Sequence, residues 1–461
     1  MNNQKKTLNP YLLVILSFVV IIFVGALLLF MPFCRRDGHF APNVIDPLFL
    51  ATSATCVTGL NSFKQGIGDE LTFAGQLIVM LLIQVGGLGF ITLLTFFVTL
   101  FSRKLQFKDR LLISLMVNSE DAAEVVIFVR KIIIISASFE VLGFLLGLPV
   151  FLTCCDNVSE GIWYSLFHSV SAYNNAGFDL FGASSLIRGE GGSPFINNMP
   201  AWAYYYMCSY IMFLIVAGGI SFVVVMDIFA KRKLKQLRVF TKISLLMTVV
   251  LLAVGFLAFL VSEGLKSPFD ALFQSVTCRT AGFATINQDD LNVVSKAFSC
   301  FLMFFGGNPL GTAGGVKTTT LYIIVLAMVC YLTGRKVTSF HRRYPNEVIV
   351  KAMSLVLLAV ATIFIAFFAM NSFEAKLDVE SLGIKSTKSS ALIYEVFSAF
   401  GTVGVSTGIT PHLSIWSKIT ISILMFIGRL GPITFFQLLG SKMRFDDKSK
   451  YHFVEEDFLI G

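Results

Sequence analysis

One pattern recurs four times along this chain and restricts how it can fold. A long apolar run is followed by a short apolar-aromatic piece, a glycine-bearing segment and a second long apolar run. The glycine-bearing segments read "SATCVTGL" (53–60), "SAYNNAGF" (171–178), "VTCRTAGF" (276–283) and "SAFGTVGV" (398–405). Gly59, Gly177, Gly282 and Gly404 hold the same place in each, at intervals of 118, 105 and 122 residues, near a quarter of the 461-residue chain. Ser-Ala precedes the glycine by six and five residues in three copies, and Val276-Thr277 does so in the third. A period this long, met four times, indicates a repeat architecture.

The solvent for these repeats is lipid. The chain is 55% hydrophobic and 14% charged, with a mean hydropathy of +0.77, against about 25% charged residues in soluble domains. The first long runs cover 11–32, 132–152, 243–262 and 348–370, and the second cover 71–101, 202–230, 297–333 and 414–440. Each is near or above the roughly 20 residues that cross a bilayer. The pieces between them, such as "IWYSLFHSVSAY" (162–173) and "ALFQSVTC" (271–278), are too short to cross and suit re-entrant helices. The first run follows Lys5 and Lys6 and lacks a small-residue cleavage site, so it reads as a retained span.

Charge gives the orientation. Of the 36 basic residues, 23 lie on one set of span ends, in the N-terminal pair and in clusters at 103–110, 130–131, 231–242, 335–351 and 442–450. Ten lie on the opposite ends, which leaves Arg279, Lys317 and Arg429 at membrane depth. The bias puts the clusters and both termini in the cytoplasm. Topology therefore accounts for the basic clusters, and no nucleic-acid partner is expected.

Non-helical backbone at membrane depth must be buried in protein or line a water-filled path. Four parallel copies around one axis satisfy that condition. Their extended segments line a pore with carbonyl oxygens, which replace the hydration shell of a monovalent cation. Their short helices aim C-terminal, partly negative ends at a central cavity. The expected fold is thus an all-α polytopic membrane protein with four parallel span–pore helix–span repeats around one central pore. The repeats are expected over 1–110, 111–235, 236–340 and 341–445, with a cytoplasmic tail at 446–461.

The stretch "FFGGNPLGTAGGVKTTTL" (304–321) interrupts the second apolar run of the third repeat. It is not a nucleotide-binding loop, because Val316 separates Gly315 from Lys317 and no strand precedes it. An unwound segment at 306–317 would lie below the filter as a gate. Glycines let it change shape, and Thr312 and Thr318 to Thr320 can satisfy its backbone. Lys317 costs about 2.5–3.5 kcal/mol in lipid, so it should face water or an acid. Arg429, inside "MFIGRLGPITF" (425–435), is a fixed cation beside the pore that can hydrogen-bond the loop. Asp179, Asp289 and Asp290 follow filter glycines and read as ordinary loop acids, with cation concentration at the outer mouth as the alternative. Arg279 should point behind the filter. "GGLGF" (86–90) reads as close helix packing. The eight cysteines show no Cys-x-x-Cys pair, and no histidine has a partner at metal-ligand spacing.

These residues resemble a known family. "TSATCVTGL", "YNNAGFD", "CRTAGF" and "GTVGVSTG" look like the four filter loops of the Trk/Ktr/HKT potassium transporter superfamily. "GGNPLGTAGGVKTTT" and the arginine-bearing last helix are similar to its third-repeat loop and final span. The likeness covers roughly residues 10 to 445 and looks nearest the bacterial KtrB-type membrane subunit. The pattern departs at Asn308-Pro309-Leu310, where the family usually has Ser-Pro-Gly; altered loop flexibility is the expected consequence.

The resemblance implies a potassium-binding filter made by Val57, Thr58, Gly59, Asn175, Ala176, Gly177, Thr280, Ala281, Gly282, Thr402, Val403 and Gly404. The gate residues expected in the interrupted span and beside it are Gly311, Thr312, Ala313, Gly314, Gly315, Lys317 and Arg429. In plant relatives a serine at the first filter glycine accompanies sodium permeation, so four glycines favour potassium. The expected function is potassium uptake across a bacterial plasma membrane, probed against a sodium-coupled secondary cation transporter as the alternative. Sodium stimulation, a homodimer with one pore per protomer, and a KtrA-type cytosolic regulatory subunit that binds nucleotide are also implied. No catalytic residue, no metal other than potassium (with sodium as a second ion) and no covalent cofactor are expected. A membrane ATPase would need a soluble domain, and the largest cytosolic segments here are only about 20–35 residues.

Overall fold

The computed structural model describes residues 10–89, 122–182, 184–231, 233–264 and 267–431. The basic cluster at 103–110, the end of the last apolar run and the 446–461 tail lie outside them.

The described residues are helical, with one two-stranded hairpin among them pairing Thr338–Ser339 with Arg342–Arg343. The first repeat contains α1 (Pro10–Phe30), α2 (Ile45–Thr55) and α3 (Phe73–Gly87). The second contains α4 (Ala122–Cys154), α5 (Val158–Tyr173), α6 (Ala201–Gly219) and α7 (Phe222–Lys231). The third contains α8 (Val239–Ser262), α9 (Pro268–Thr277), α10 (Val293–Phe304) and α11 (Thr318–Leu332). The fourth contains α12 (Asn346–Phe373), α13 (Lys388–Gly401) and α14 (Ile415–Leu430).

Local sequence explains where these helices start. Thr72, Asn292 and Ser414 cap the second spans α3, α10 and α14 by accepting the amides of Gly75, Ser295 and Ser417. Ser267 and Thr387 cap the short helices α9 and α13 in the same way. Each side chain satisfies one of the amides left unpaired at a helix start.

Four described helices are long and apolar enough to cross a membrane: Ile127–Cys154, Ala201–Gly219, Val239–Ser262 and Asn346–Phe373. The first spans turn apolar side chains such as Phe23, Leu145, Val254 and Phe364 outward, as a lipid-facing surface allows. The short helices α2, α5, α9 and α13 lie inside. Leu50, Phe167, Phe273 and Phe400 on them are fully buried, and so are Ser53, Ser171, Thr277 and Ser398.

The packing closes on itself. Within each repeat, the first span packs against the short helix. Between repeats, α3 packs on α5, α6 on α9, α10 on α13, and α14 returns to α2. Each second span therefore supports the short helix of the next repeat, and the fourth supports the first. This is a ring of four parallel units.

The second span of the second repeat departs from the sequence reading, which takes 202–230 as continuous. α3 ends at Gly87, and α6 ends at Gly219 before α7 begins at Phe222. α14 ends at Leu430, where Gly431 adopts φ +85°. Among the described residues the second spans of the second and third repeats are interrupted, the third over the longer stretch. The second spans make close approaches near these ends. A Cβ on Gly86 would collide with the Thr55 carbonyl, one on Gly218 with that of Tyr173, and one on Gly428 with that of Phe400. Each span passes the C-terminal end of its own short helix at glycine distance. "GGLGF" does mark close packing, against the end of α2.

Candidate functional site

Each short helix runs into the same backbone turn. Val57, Asn175, Thr280 and Thr402 all adopt left-handed φ, at 57°, 59°, 70° and 50°. Two residues later, Gly59, Gly177, Gly282 and Gly404 have φ of 98°, 69°, 85° and 97°. A left-handed conformation costs a non-glycine residue about 1–2 kcal/mol. Four coincident left-handed pairs are a built feature, and only glycine meets the second position without strain.

The short helices hold these turns. The Thr58, Ala176 and Val403 amides donate to the Ser53, Ser171 and Ser398 carbonyls at 2.8, 2.8 and 2.9 Å, and Ala281 donates to Thr277 at 3.0 Å. The hydroxyls divide into two kinds. Ser53 and Ser398 accept the Gly59 and Gly404 amides at 3.1 Å. Ser171 and Thr277 instead donate to the Phe178 and Phe283 carbonyls, at 2.6 and 2.5 Å. The Ser-Ala element of the repeat thus anchors the segment that follows it.

The four turns meet face to face. A Cβ on Gly59 would lie 2.5 Å from the Ala176 carbonyl oxygen, and one on Gly177 2.6 Å from that of Ala281. One on Gly282 would lie 2.6 Å from that of Val403, and one on Gly404 would strike that of Thr58. Each glycine faces the middle carbonyl of the next repeat, and the fourth faces the first. The four glycines also line one cavity of about 330 Å³, with Asp179, Ser406, Thr410 and His412 in its wall.

The 306–317 loop packs beneath these turns. Its two ends are stapled: the Val316 amide donates to Phe304 at 3.1 Å and the Thr318 amide to Gly307 at 3.2 Å. Thr312 Oγ1 donates to Asn175 Oδ1 at 3.3 Å, and its amide donates to the Gly218 carbonyl at 3.3 Å. The Gly315 amide donates to Gly428 at 3.3 Å. A Cβ on Gly306 would meet Thr280, and one on Gly314 would meet Thr402. Ala313 is buried against Gly307, and Gly311 sits over the Gly218 and Gly219 carbonyls. The loop fills the space bounded by the α6 break, the end of α14 and two of the turns.

Asn308 binds this loop to its surroundings. Its Nδ2 donates to Thr248 Oγ1 of α8 at 3.0 Å, and its Oδ1 accepts from Thr318 Oγ1 at 2.5 Å. Leu310 has φ +59°. That is the place where the Ser-Pro-Gly of the resembled pattern puts glycine, so leucine here carries a steric cost glycine would avoid.

Two cations stand against the loop. Arg429 donates from one guanidinium nitrogen to the Thr312 carbonyl and from the other to the Gly86 carbonyl. One side chain so ties the loop to the first repeat. Lys317 immediately precedes α11, and its Nζ donates to the Ala313 carbonyl at 2.6 Å. It meets a carbonyl where the sequence reading expects water or an acid, and among the described residues it forms no ion pair.

The acidic residues separate. Asp179 lines the outer cavity, with its carboxylate accepting the Phe181 amide at 3.0 Å. Asp289 instead accepts the Lys385 and Ser386 amides at 2.5 and 3.0 Å and pairs with Lys296 at 3.7 Å. Asp290 pairs with Lys385 at 2.6 Å. These two fasten one loop to another, as ordinary loop acids do. Arg279 is buried and donates to the Thr248 carbonyl on α8, away from the cavity.

Sequence reasoning passed over Glu140. It lies on α4, where Gln84 Nε2 donates to it at 2.9 Å and Asn174 Nδ2 at 3.1 Å. Asn174 immediately precedes the second turn, so this carboxylate backs the ring. An acid inside an apolar run was the available signal.

Comparison with known proteins agrees with this geometry. A family model described as TrkH, cation transport protein, matches residues 2–447.

The chain belongs to the TrkH cation transport family. Its relatives include the potassium/sodium uptake protein NtpJ of Enterococcus hirae, 34% identical over 99% of this chain and 98% of that protein. The Ktr system potassium uptake protein B of Bacillus subtilis is 34% identical over 93% and 92%. The crystal structure of the potassium transporter TrkH from Vibrio parahaemolyticus superposes with a TM-score of 0.69 at 18% identity, covering 96% of this chain and 87% of that one. That likeness concerns the fold. The family is one of transporters, which sets the chain apart from the membrane enzymes considered above.

Proposed function

We propose that this protein takes up potassium through the ring formed by Val57–Gly59, Asn175–Gly177, Thr280–Gly282 and Thr402–Gly404. The reading rests on one observation above all: each ring glycine faces the middle carbonyl of the next repeat, in a closed cycle. Carbonyl oxygens so gathered substitute for ion hydration. Four glycines leave the ring free of side chains, which suits potassium. The repeats divide at about residues 110, 235, 340 and 445, and both termini are cytoplasmic under the positive-inside bias.

The 306–317 loop is the gate in this reading, with Gly311, Thr312, Ala313, Gly314, Gly315 and Lys317 in the path and Arg429 as its latch. It occupies the cavity beneath the ring, and its two cations oppose a passing cation. A cytosolic nucleotide-binding subunit of the KtrA type, a homodimeric membrane unit and stimulation by sodium complete the proposal; the relatives named Ktr system potassium uptake protein B support the potassium-uptake part of it. A sodium-coupled secondary transporter is the second reading, favoured only by the potassium/sodium name of the Enterococcus relative. Among the described residues Glu140 stands without a second carboxylate in its network, which weighs against that reading.

The test is potassium against sodium uptake in a strain without its own potassium importers, with Gly59→Ser beside the native chain. Native rescue at low potassium, with discrimination lost in the serine variant, is expected. Failure of the native chain to move potassium with a KtrA-type partner present refutes the filter reading.

A further inference from the structure

The fourfold ring is held from behind in a twofold way. Take the residue nine places before each ring glycine, on the short helix, and the residue three places after it, where the chain turns outward. In the second repeat these are His168 and Leu180, and in the fourth they are Glu395 and Thr407. In both repeats the inner side chain accepts the outer amide. His168 Nε2 accepts the Leu180 amide at 3.3 Å, and Glu395 Oε1 accepts the Thr407 amide at 3.1 Å. In the first and third repeats the corresponding inner residues are Leu50 and Phe273, which cannot accept a hydrogen bond. The outer hydroxyls do not distinguish the repeats, since those of Ser62, Thr285 and Thr407 are all buried without a partner; the difference lies in the inner acceptor.

Both acceptors are built into place. His168 is fully buried and stacks on Phe181 and Phe151, with ring centroids 4.4 and 5.3 Å apart. Its Nδ1 lies 2.7 Å from the Tyr164 carbonyl, which fixes the proton on Nδ1 and leaves Nε2 to accept. Tyr164 also donates its hydroxyl to the Leu180 carbonyl at 3.2 Å. Glu395 is likewise fully buried. Besides the Thr407 amide, it accepts Ser406 Oγ at 2.5 Å and Thr410 Oγ1 at 2.8 Å. Ser406 and Thr410 line the outer cavity, as do Phe178 and Asp179 just before Leu180. The ring runs in the order first, second, third, fourth, so the second and fourth repeats are diagonally opposed.

We propose that His168 and Glu395 are positioning residues that set the outer diameter of the ion-binding ring across one diagonal, so that ion discrimination depends on two opposed clamps. This rests on the filter reading above. A clamp on opposite sides restrains the opening along that axis; the other diagonal lacks this contact, and the third repeat instead joins Gln274 of its short helix to Gln288 at 2.6 Å. Carbonyl position then follows from two side chains that never touch the ion.

The experiment uses the full chain in its native membrane, in cells lacking other potassium importers. The potassium-to-sodium uptake ratio and the amount of protein in the membrane are measured together. Glu395→Leu and His168→Leu copy the residue of the first repeat. Each is expected to lower the ratio at least tenfold, and Glu395→Gln should recover most of the loss, since its amide oxygen can still accept the Thr407 amide. The Ser406→Ala/Thr410→Val pair removes two of the three donors to Glu395 and leaves the Thr407 amide, and should lower the ratio several-fold. Leucine variants at native amount with the native ratio overturn the clamps. If the leucine variants fail to accumulate, a native ratio in the Ser406→Ala/Thr410→Val pair overturns them instead. A native chain that does not discriminate at all defeats the filter reading, a separate outcome.

Discussion

Replacing Arg429 with alanine should open the path beneath the ring. The guanidinium makes two hydrogen bonds, one to the Thr312 carbonyl of the 306–317 loop and one to the Gly86 carbonyl at the end of α3. Hydrogen bonds to a charged group contribute about 1.5–3 kcal/mol each. Water entering the vacated space recovers part of this for the freed carbonyls, so we take a net loss of about 2 kcal/mol for the packed loop. At about 1.4 kcal/mol per tenfold change, that shifts the ratio of packed to displaced loop by roughly 30-fold. Loss of the fixed positive charge acts in the same direction, by lowering the barrier to a cation. Potassium flux through the full chain in proteoliposomes should therefore rise by more than tenfold. Deleting 310–317 should raise it as well. Arg429→Lys separates the two effects, because a single ammonium keeps the charge but cannot bridge both carbonyls. It should give a smaller rise than alanine. Unchanged flux in both Arg429→Ala and the deletion, at equal protein in the bilayer, refutes the latch.

Two further outcomes follow from the geometry. Gly218→Ala drives a methyl group into the Tyr173 carbonyl, and crowding of this kind costs about 1–3 kcal/mol; thermal unfolding in detergent should shift down, and a native midpoint would show that α6 can move aside. Asp289 concerns acid stability. Burial alone would raise its pKa, but the Ser386 hydroxyl, the Lys385 and Ser386 amides and Lys296 outweigh burial and hold it below the usual carboxylate range. Its stabilisation is present above the unfolded value near about 3.9 and is lost as pH falls through the lower folded value. Asp289→Asn should thus lower the melting point at neutral pH and flatten its decline in acid; an unaltered acid limb would remove Asp289 from that role.

Much of this protein was legible in its sequence, for a definite reason. A bilayer forces apolar runs of fixed length, and internal repeats write the same constraint four times. The four glycines could be read because a left-handed residue under a neighbouring carbonyl leaves no room for a Cβ. Arg429, Lys317 and the 306–317 loop stood out because charge and glycine are rare inside an apolar run. What sequence could not supply was which groups meet across the repeats. Nothing in "GGISF" (218–222) or "GGLGF" says which carbonyl those glycines pass, so the break between α6 and α7 emerged only from the packed helices. Glu140 finds Gln84 of α3 and Asn174 just past the end of α5, and Arg429 finds Gly86, 343 positions away. Hydrogen bonds of such separation depend on where ridges and grooves settle when four units close a ring. His168 and Glu395 make the same point: one is an aromatic base and the other an acid, so no motif joins them. The sequence by itself determined the membrane fold, the fourfold period and the ring glycines, because each follows from local chemistry in lipid. The tertiary structure alone decided the support of the ring, because partners distant in the chain meet only after the repeats have packed.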